Sequence, residues 1–249
     1  MQKNDPADFI IIDNFNDFNI LKTYIDGKLV AENNKSLIAV DKVQTINKFA
    51  AEKVLIKDFR IADIGKEVKI ISAISGEIIT EKLVGRPKSV NNNLVSDVDN
   101  DILKIAVINR YEKKKIALGF IKNFGLKKGA IASSVAHDSH NIVVIGCSDE
   151  EMARAANMII KSKGGLVAWS YDQHKCIPLP IAGLMTDQNG YKIAGDYLLL
   201  VALAKEFGST LNDPFMTMGF MSLLVIPKLK LSDKGLFDCE KFQLTELFE

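Results

Sequence analysis

The sequence predicts an α+β fold, a mixed β-sheet domain with two long helices, preceded by a short antiparallel β fragment. Three observations carry this prediction. Ile- and Val-rich runs of strand length recur from Val68 onward, two segments of helical character follow among them, and residues 7–31 hold an isolated hairpin pattern. At 249 residues the chain can bury one large core or two small ones.

Residues 7–13 (ADFIIID) form a short apolar run, and residues 20–31 (ILKTYIDGKLVA) read as two strands around Asp26-Gly27, a strong two-residue hairpin signal. This fragment is too short to be a domain by itself. Asn33-Asn34-Lys35-Ser36 opens a polar connection without a sustained period. The expected division is therefore 1–36 for the β fragment, 37–64 for a linker with at most one short helix, and 65–249 for the α+β domain. In the last part VKIISAI, EIITEKLV, ILKIAVINRY and KIALGFI suit strands, and Asn91-Asn92-Asn93 suits a surface loop.

Ser148-Asp149-Glu150-Glu151 has the form of a capping box, in which the hydroxyl satisfies an orphan amide and Glu151 reaches back. Met152, Ala155, Ala156, Ile159 and Ile160 then make one apolar helical stripe, and Gly164 is its predicted stop. GLVAW reads as a strand, so residues 142–169 have a β-α-β order that permits a parallel pairing. Asp172 to His174 reads as a turn into CIPLP. Gly190 to Phe207 is the second long helix, so apolar through LLLVALA that burial on most sides is expected, with Gly208 as its stop.

Lys plus Arg number 32 against 31 Asp plus Glu, a net charge of +1, which gives no basis for a nucleic-acid or acidic-membrane partner. Lys113-Lys114-Lys115 and Lys127-Lys128 read as solvated turns. Cys147, Cys176 and Cys239 are odd in number and lack Cys-x-x-Cys spacing, which argues against a disulfide framework and a zinc ribbon and fits a reducing cytoplasm. No apolar run has membrane-spanning length, and MQKNDPADF is unlike a secretion leader.

The densest chemistry lies in Gly125–Ile145, GLKKGAIASSVAHDSHNIVVI, which places His137, Asp138, Ser139 and His140 between two β-favouring runs. If residues 138 and 139 form a tight turn, the two imidazoles face each other across it. One reading makes these four residues catalytic candidates; the other makes them a polar turn that bonds its own backbone. Ligand type also allows a metal site from His137 and His140 with Asp138 or the distant His174, although that set falls short of a closed tetrahedral shell. A Cys147 nucleophile paired with His140 competes with simple burial of the thiol. Ser133 and Ser134 lack a Gly-x-Ser-x-Gly context and read as strand hydroxyls, and Gly125 to Gly129 does not match a phosphate cradle. Phe215, Met216, Met218, Phe220 and Met221 read as packing material, with an apolar wall or a dimer contact as the alternative.

That segment, with LPIAGLM (179–185), DPFMTMGFMS (213–222) and VIPKLKL (225–231) followed by Asp233-Lys234-Gly235-Leu236, resembles the C-terminal domain of bacterial and archaeal adenine deaminases of the amidohydrolase superfamily. The blocks occur in the same order, and the resemblance runs over roughly residues 60–240, with a weaker one over the first forty. It implies that residues 1–36 are the end of the small β-domain that amidohydrolases assemble from both chain ends, so that the chain starts just after the catalytic barrel. It also implies hydrolysis of adenine to hypoxanthine and ammonia, in purine salvage or adenine catabolism, in the cytoplasm, with manganese or iron as cofactor. In the family the metal is held by a His-x-His pair and further ligands on the barrel. This chain has no His-x-His and three histidines in all, so the resemblance assigns no metal ligand here. What carries over is His137, Asp138, Ser139 and His140 as catalytic candidates and Asn141 as a substrate-binding candidate. The implied partners are adenine, a barrel-bearing adenine deaminase chain and further copies of this chain. The alternative is a non-catalytic purine-binding or oligomerisation module, inactive without such a barrel.

Overall fold

The computed structural model describes residues 2–39 and 44–249, so part of the linker expected over 37–64 lies outside the described residues. Two compact units divide the chain, Met1–Gln44 and Thr45–Glu249. The first is an antiparallel meander of β1 (Phe9–Ile12), β2 (Ile20–Ile25), β3 (Lys28–Glu32) and β4 (Lys35–Ser36), paired in that order. Asp26 and Gly27 both take positive φ, 50° and 70°, as the tight turn between β2 and β3 requires. Among the described residues of this unit none is buried.

The second unit begins with a short helical turn at Ile56–Phe59, inside the segment expected to be a linker. Then come β5 (Ile61–Ala62), β6 (Val68–Ala73), β7 (Thr80–Gly85), β8 (Ser89–Val90) and β9 (Asn93–Leu94). Next are β10 (Ile102–Ile108), β11 (Ala117–Lys122), β12 (Ala130–Ser133) and β13 (Ile142–Gly146). Helix α1 (Asp149–Ser162), β14 (Gly165–Trp169), β15 (His174–Pro178), α2 (Gly190–Glu206) and the short α3 (Pro214–Gly219) follow. The chain closes with β16 (Leu229–Ser232), β17 (Gly235–Asp238) and β18 (Gln243–Leu244).

An eight-stranded sheet in the order β15-β14-β12-β13-β10-β11-β6-β7 organises this unit, antiparallel throughout except for the parallel β11–β6 pair. The mixed α+β class is therefore as the sequence predicts. Its central strands are covered on both faces, which is why they read as continuous apolar runs rather than as alternating ones. Along β13, Ile142 and Val144 face α1 while Val143 and Ile145 face α2 and α3. Ala130 and Ala132 of β12 present only methyl groups to α1, so Met152, Ala155, Ala156 and Ile159 pack close against the sheet. Ser148 caps that helix as predicted, its Oγ accepting from Glu151 N at 3.2 Å and donating to Glu151 Oε2 at 2.7 Å. On the same side Lys104 is fully buried, and its Nζ donates to Asp149 Oδ1 at 2.6 Å and to Phe59 O at 2.9 Å.

Three expectations need correction. The two strands of the β-α-β stretch do not pair, because β12 inserts between β13 and β14 and runs antiparallel to both. A strand from earlier in the chain fills the position that a simple crossover would leave to its partner. The left-handed stop of α1 is Lys163, at φ 55°, rather than Gly164. Gly164 follows at φ 121°, where an added Cβ would strike Gly183 Cα and lie 2.9 Å from Leu179 O. Finally, α2 is not buried on most sides: Leu200, Leu203 and Ala204 are buried, whereas Leu198 and Leu199 are 70 % and 60 % exposed. Apolar composition shows that a helix can be buried, not which arc of it meets the core.

Candidate functional site at the β12–β13 end of the sheet

The segment singled out by its chemistry is the hairpin connection between β12 and β13, whose ladder runs from Ala130 opposite Gly146 to Ser133 opposite Val143. The backbone between them is tightly held. Asp138 and His140 take positive φ of 63° and 49°, Ser139 N donates to His137 O at 2.9 Å, and His140 N donates to Ala136 O at 2.8 Å. Asp138 projects outward and is exposed, while His137, Ser139 and His140 are half-buried. Asn141 is buried, and its Oδ1 accepts from Arg110 N at 3.2 Å, closing the end of β10 onto the loop. A substrate-binding part for Asn141 therefore has to share this side chain with a backbone contact.

His137 is fixed from two directions. Its ring stacks on Phe220 with centroids 4.3 Å apart and planes 10° from parallel, and its backbone N–H donates to Gly219 O at 3.1 Å. Beside it opens a cavity of about 160 Å³ lined by Ser133, Leu166, Tyr197, Phe215 and Met216 among others. Two of its polar groups are already engaged: Ser133 Oγ accepts from Val135 N at 2.9 Å, and Tyr197 Oη donates to the Asp213 carboxylate at 2.6 and 2.7 Å. Burial, followed by that Asp213 hydrogen bond, raises the Tyr197 phenol well above its ordinary value and keeps it protonated. The slot thus offers apolar walls and an imidazole rim. A larger cleft, about 1050 Å³, lies elsewhere, among Arg60, Lys114, Lys115 and Lys234, and holds none of the candidate residues.

His140 stands in a different field. Burial lowers its pKa first and the Arg110 cation second; Asp138 opposes them, and His137 adds a small further lowering. Below its usual range the imidazole is neutral at pH 7, a proton acceptor rather than a cation.

Arg110 is a residue that the sequence does not mark, and Ser134 is one that it reads only as a strand hydroxyl. Arg110 is buried, with Nη1 donating to Ala182 O, Nη2 donating to Tyr111 Oη at 2.9 Å, and Nε without an acceptor among the described residues. Ser134, dismissed as a strand hydroxyl, lies past the end of β12, where its Oγ donates to Gly183 O at 2.6 Å and accepts from Gly165 N at 2.8 Å. Gly183 itself, at φ 68°, sits against the Arg110 guanidinium, where a Cβ has no room. These contacts fasten the LPIAGLM segment to the HDSHN loop, and His137 fastens DPFMTMGFMS to the same loop. A lone arginine just past an apolar strand is the only sequence signal for Arg110, and it is indistinguishable from a strand-end solvent charge.

Other proposed partners are held apart. His174 pairs with Trp169, which pairs with Ala130, so it lies at the opposite end of β12 from His137 and His140 and cannot complete a metal shell with them. Among the described residues no three His, Cys, Asp or Glu side chains converge as a metal site, so manganese or iron does not fit this unit's own donors. Cys147 is separated from His140 by the whole of β13, roughly 17 Å at strand rise. Burial, with a smaller push from Glu151, drives its thiol up to about 12, so the nucleophile reading falls. Among the described residues no helix is long and apolar enough to cross a membrane.

Comparison with known proteins agrees with this convergence of blocks. The adenine deaminase C-terminal domain model matches residues 77–243. An adenine deaminase of Methanosarcina mazei is 46 % identical over 260 residues, covering 100 % of this chain and 47 % of the relative. One from Borreliella burgdorferi is 47 % identical over 240 residues, covering 96 % of this chain and 44 % of the relative. One from Salinibacter ruber is 42 % identical, covering 100 % and 46 % respectively. The chain spans about half the length of the curated relatives it matches. With the loop, its two clasping segments and the matched domain in agreement, the chain belongs to the adenine deaminase family, of which it carries the C-terminal portion.

Proposed function

We propose that this chain works as the C-terminal half of an adenine deaminase, hydrolysing adenine to hypoxanthine and ammonia together with a metal-bearing barrel chain. The observation that carries this reading is the assembly of residues 134–141, 179–185 and 213–222 at one end of the sheet, with two imidazoles on its surface. In hydrolysis water forms the new bond to C6, the exocyclic C–N bond breaks, and protons must be moved to the ring and to departing ammonia. The manganese or iron that would activate the water belongs to the barrel chain, since the donors here do not fit it. On this side His140, neutral at pH 7, is suited to accept a proton, and His137, braced by Phe220, is suited to lie against a planar base.

The test is reconstitution with the barrel half of the Methanosarcina mazei relative, supplied with manganese or iron, and measurement of ammonia released from adenine. Activity is expected only in the mixture, and His140→Ala should lower it by ~100-fold if the imidazole moves a proton. An inactive mixture of two folded chains, or a His140→Ala mixture as fast as the parent, sinks the reading. A second reading, purine binding without turnover, is favoured by the slot beside His137. It predicts an adenine-dependent rise in Tm of this chain by itself, with no hypoxanthine formed.

A further inference from the structure

The cleft of about 1050 Å³ lies wholly within the second unit, between the β10–β11 connection and the β16–β17 turn, and its floor and rim differ in character. Ile61, Ile116, Ala117 and Leu236 are buried at its floor, with Leu118 half-buried beside them. The rim is cationic. Arg60, Lys115 and Lys234 are all exposed, and among the described residues none of the three has a carboxylate at ion-pair distance. Lys114 also lines the cleft and pairs with Glu112 at 2.6 Å. The carboxylates of the lining are Asp233 and Glu246, and Asp233 is already held by Asn109 Nδ2 at 2.7 Å. The adjoining depression is balanced instead: the lysines it adds, Lys53, Lys57 and Lys113, stand among Glu52, Asp58 and Glu112, and Lys113 pairs with Glu52 at 2.6 Å. The excess of positive charge therefore belongs to the larger cleft.

We propose that this cleft binds a nucleoside triphosphate, with the phosphates on Arg60, Lys115 and Lys234 and the base against the apolar floor. The three cations come from separate stretches of chain, just before β5, in the β10–β11 connection and in the β16–β17 turn, so the fold and not a basic run in the sequence brings them to one concavity. Like charges gathered without counter-ions repel one another, and a low-dielectric floor strengthens the field above them. A polyphosphate relieves that repulsion through charge-assisted hydrogen bonds, which the guanidinium and both ammonium groups can donate. The floor asks for more than phosphate, because Ile61, Ile116, Leu118 and Leu236 offer a flat apolar group somewhere to lie. Size agrees, since small-molecule sites run to roughly 1000 Å³. A long polyanion such as RNA would need the cationic excess to continue past the cleft, and in the adjoining depression it does not. This site shares no residue with the slot beside His137 and is independent of the deaminase reading.

Isothermal titration of the full chain with UTP at low salt tests this, UTP being the probe because it has no purine to enter the slot beside His137. A dissociation constant of ~10–100 μM is expected, rising by ~10-fold when salt is raised to ~0.3 M. Lys115→Gln/Lys234→Gln should weaken UTP by ~30-fold with Tm unchanged, since both side chains are exposed, whereas Lys205→Gln on the exposed side of α2 should change nothing. Inorganic tripolyphosphate should bind ~10-fold more weakly than UTP, because it leaves the floor uncovered, and uridine should show no binding at ~1 mM. Absence of UTP binding up to ~5 mM overturns the proposal, as does a dissociation constant indifferent to the double variant. Tripolyphosphate binding as tightly as UTP takes the base off the floor and overturns the nucleotide in favour of bare polyphosphate. A single-stranded oligonucleotide that binds more tightly than UTP through the same two lysines overturns it in favour of nucleic acid. Loss of UTP binding when the barrel half of the Methanosarcina mazei relative is added overturns it in favour of the barrel as occupant of the cleft.

Discussion

The two units of this chain use the same kind of strand sequence and reach opposite ends of the burial scale. β1–β3 contain FIII, ILKTYI and KLVAE, yet Phe9, Ile10, Ile11, Ile20, Leu21 and Ile25 are all exposed. β6, β10 and β13 contain VKIISA, ILKIAVI and IVVIG and are almost wholly buried. The difference lies in what covers them. The eight-stranded sheet has α1 on one face and α2, α3 and β16–β17 on the other, whereas the meander is a single layer of four strands with no residue buried among those described. Hydrogen-bonded pairing makes a sheet; a second layer makes it stable.

That contrast can be tested most severely by damaging the covered unit at a point with no slack. Gly164→Ala drives a Cβ into the backbone of Gly183, at a positive φ as well, and should cost more than ~4 kcal/mol. Trp169, the single tryptophan, lies in β14 next to this point, so its fluorescence in urea reports that unit specifically. A midpoint unchanged from the parent would mean that the interior is not close-packed there.

A smaller effect should come from pH. Lys230 is fully buried in β16, with its Nζ donating to Ile78 O at 2.8 Å, and burial depresses its pKa to about 8. Below pH 8 folded and unfolded chains both carry the proton, so the cost of burying it is present in full. Between about pH 8 and the ordinary lysine value of about 10.4 the unfolded chain binds more protons, and stability rises with pH. Lys230→Met should remove an alkaline gain on the order of 2–3 kcal/mol, seen as converging urea midpoints of parent and variant as pH rises. Parallel curves would show that the lysine is solvated in the folded state. The smallest effect belongs to the uncovered unit: Phe15, 90 % exposed, should be replaceable by Ser within ~0.5 kcal/mol, with improved recovery of soluble chain. A large loss of stability there would show that the meander has a covering layer after all.

Local signals were legible in this sequence and relational ones were not. The capping box at Ser148, the Asp26-Gly27 hairpin and the strand runs 68–74 and 102–111 each declare an element through chemistry within a few residues. The order of strands is a matter of which apolar run lies beside which, and nothing within residues 142–169 tells that β12 will stand between its two strands. The site divides the same way. His137 and His140 stood out as rare residues in a β-flanked turn, but their surroundings come from chain segments far away. Arg110, Phe220 and Gly183 reach the loop only through the fold, and single residues of common types leave no pattern to read.

The hairpin that carries the histidines also meters them. Its ladder is buried on both faces, so a one-place slip would exchange Ile131 and Ala132 between a bulky layer and a tight helix contact, and β12 and β13 cannot absorb an inserted residue. Any insertion or deletion between 134 and 141 must therefore be taken up by the connection alone, shifting His137 off Phe220 or His140 away from Arg110. Descendants of this sequence are free to change its letters there far more readily than its length.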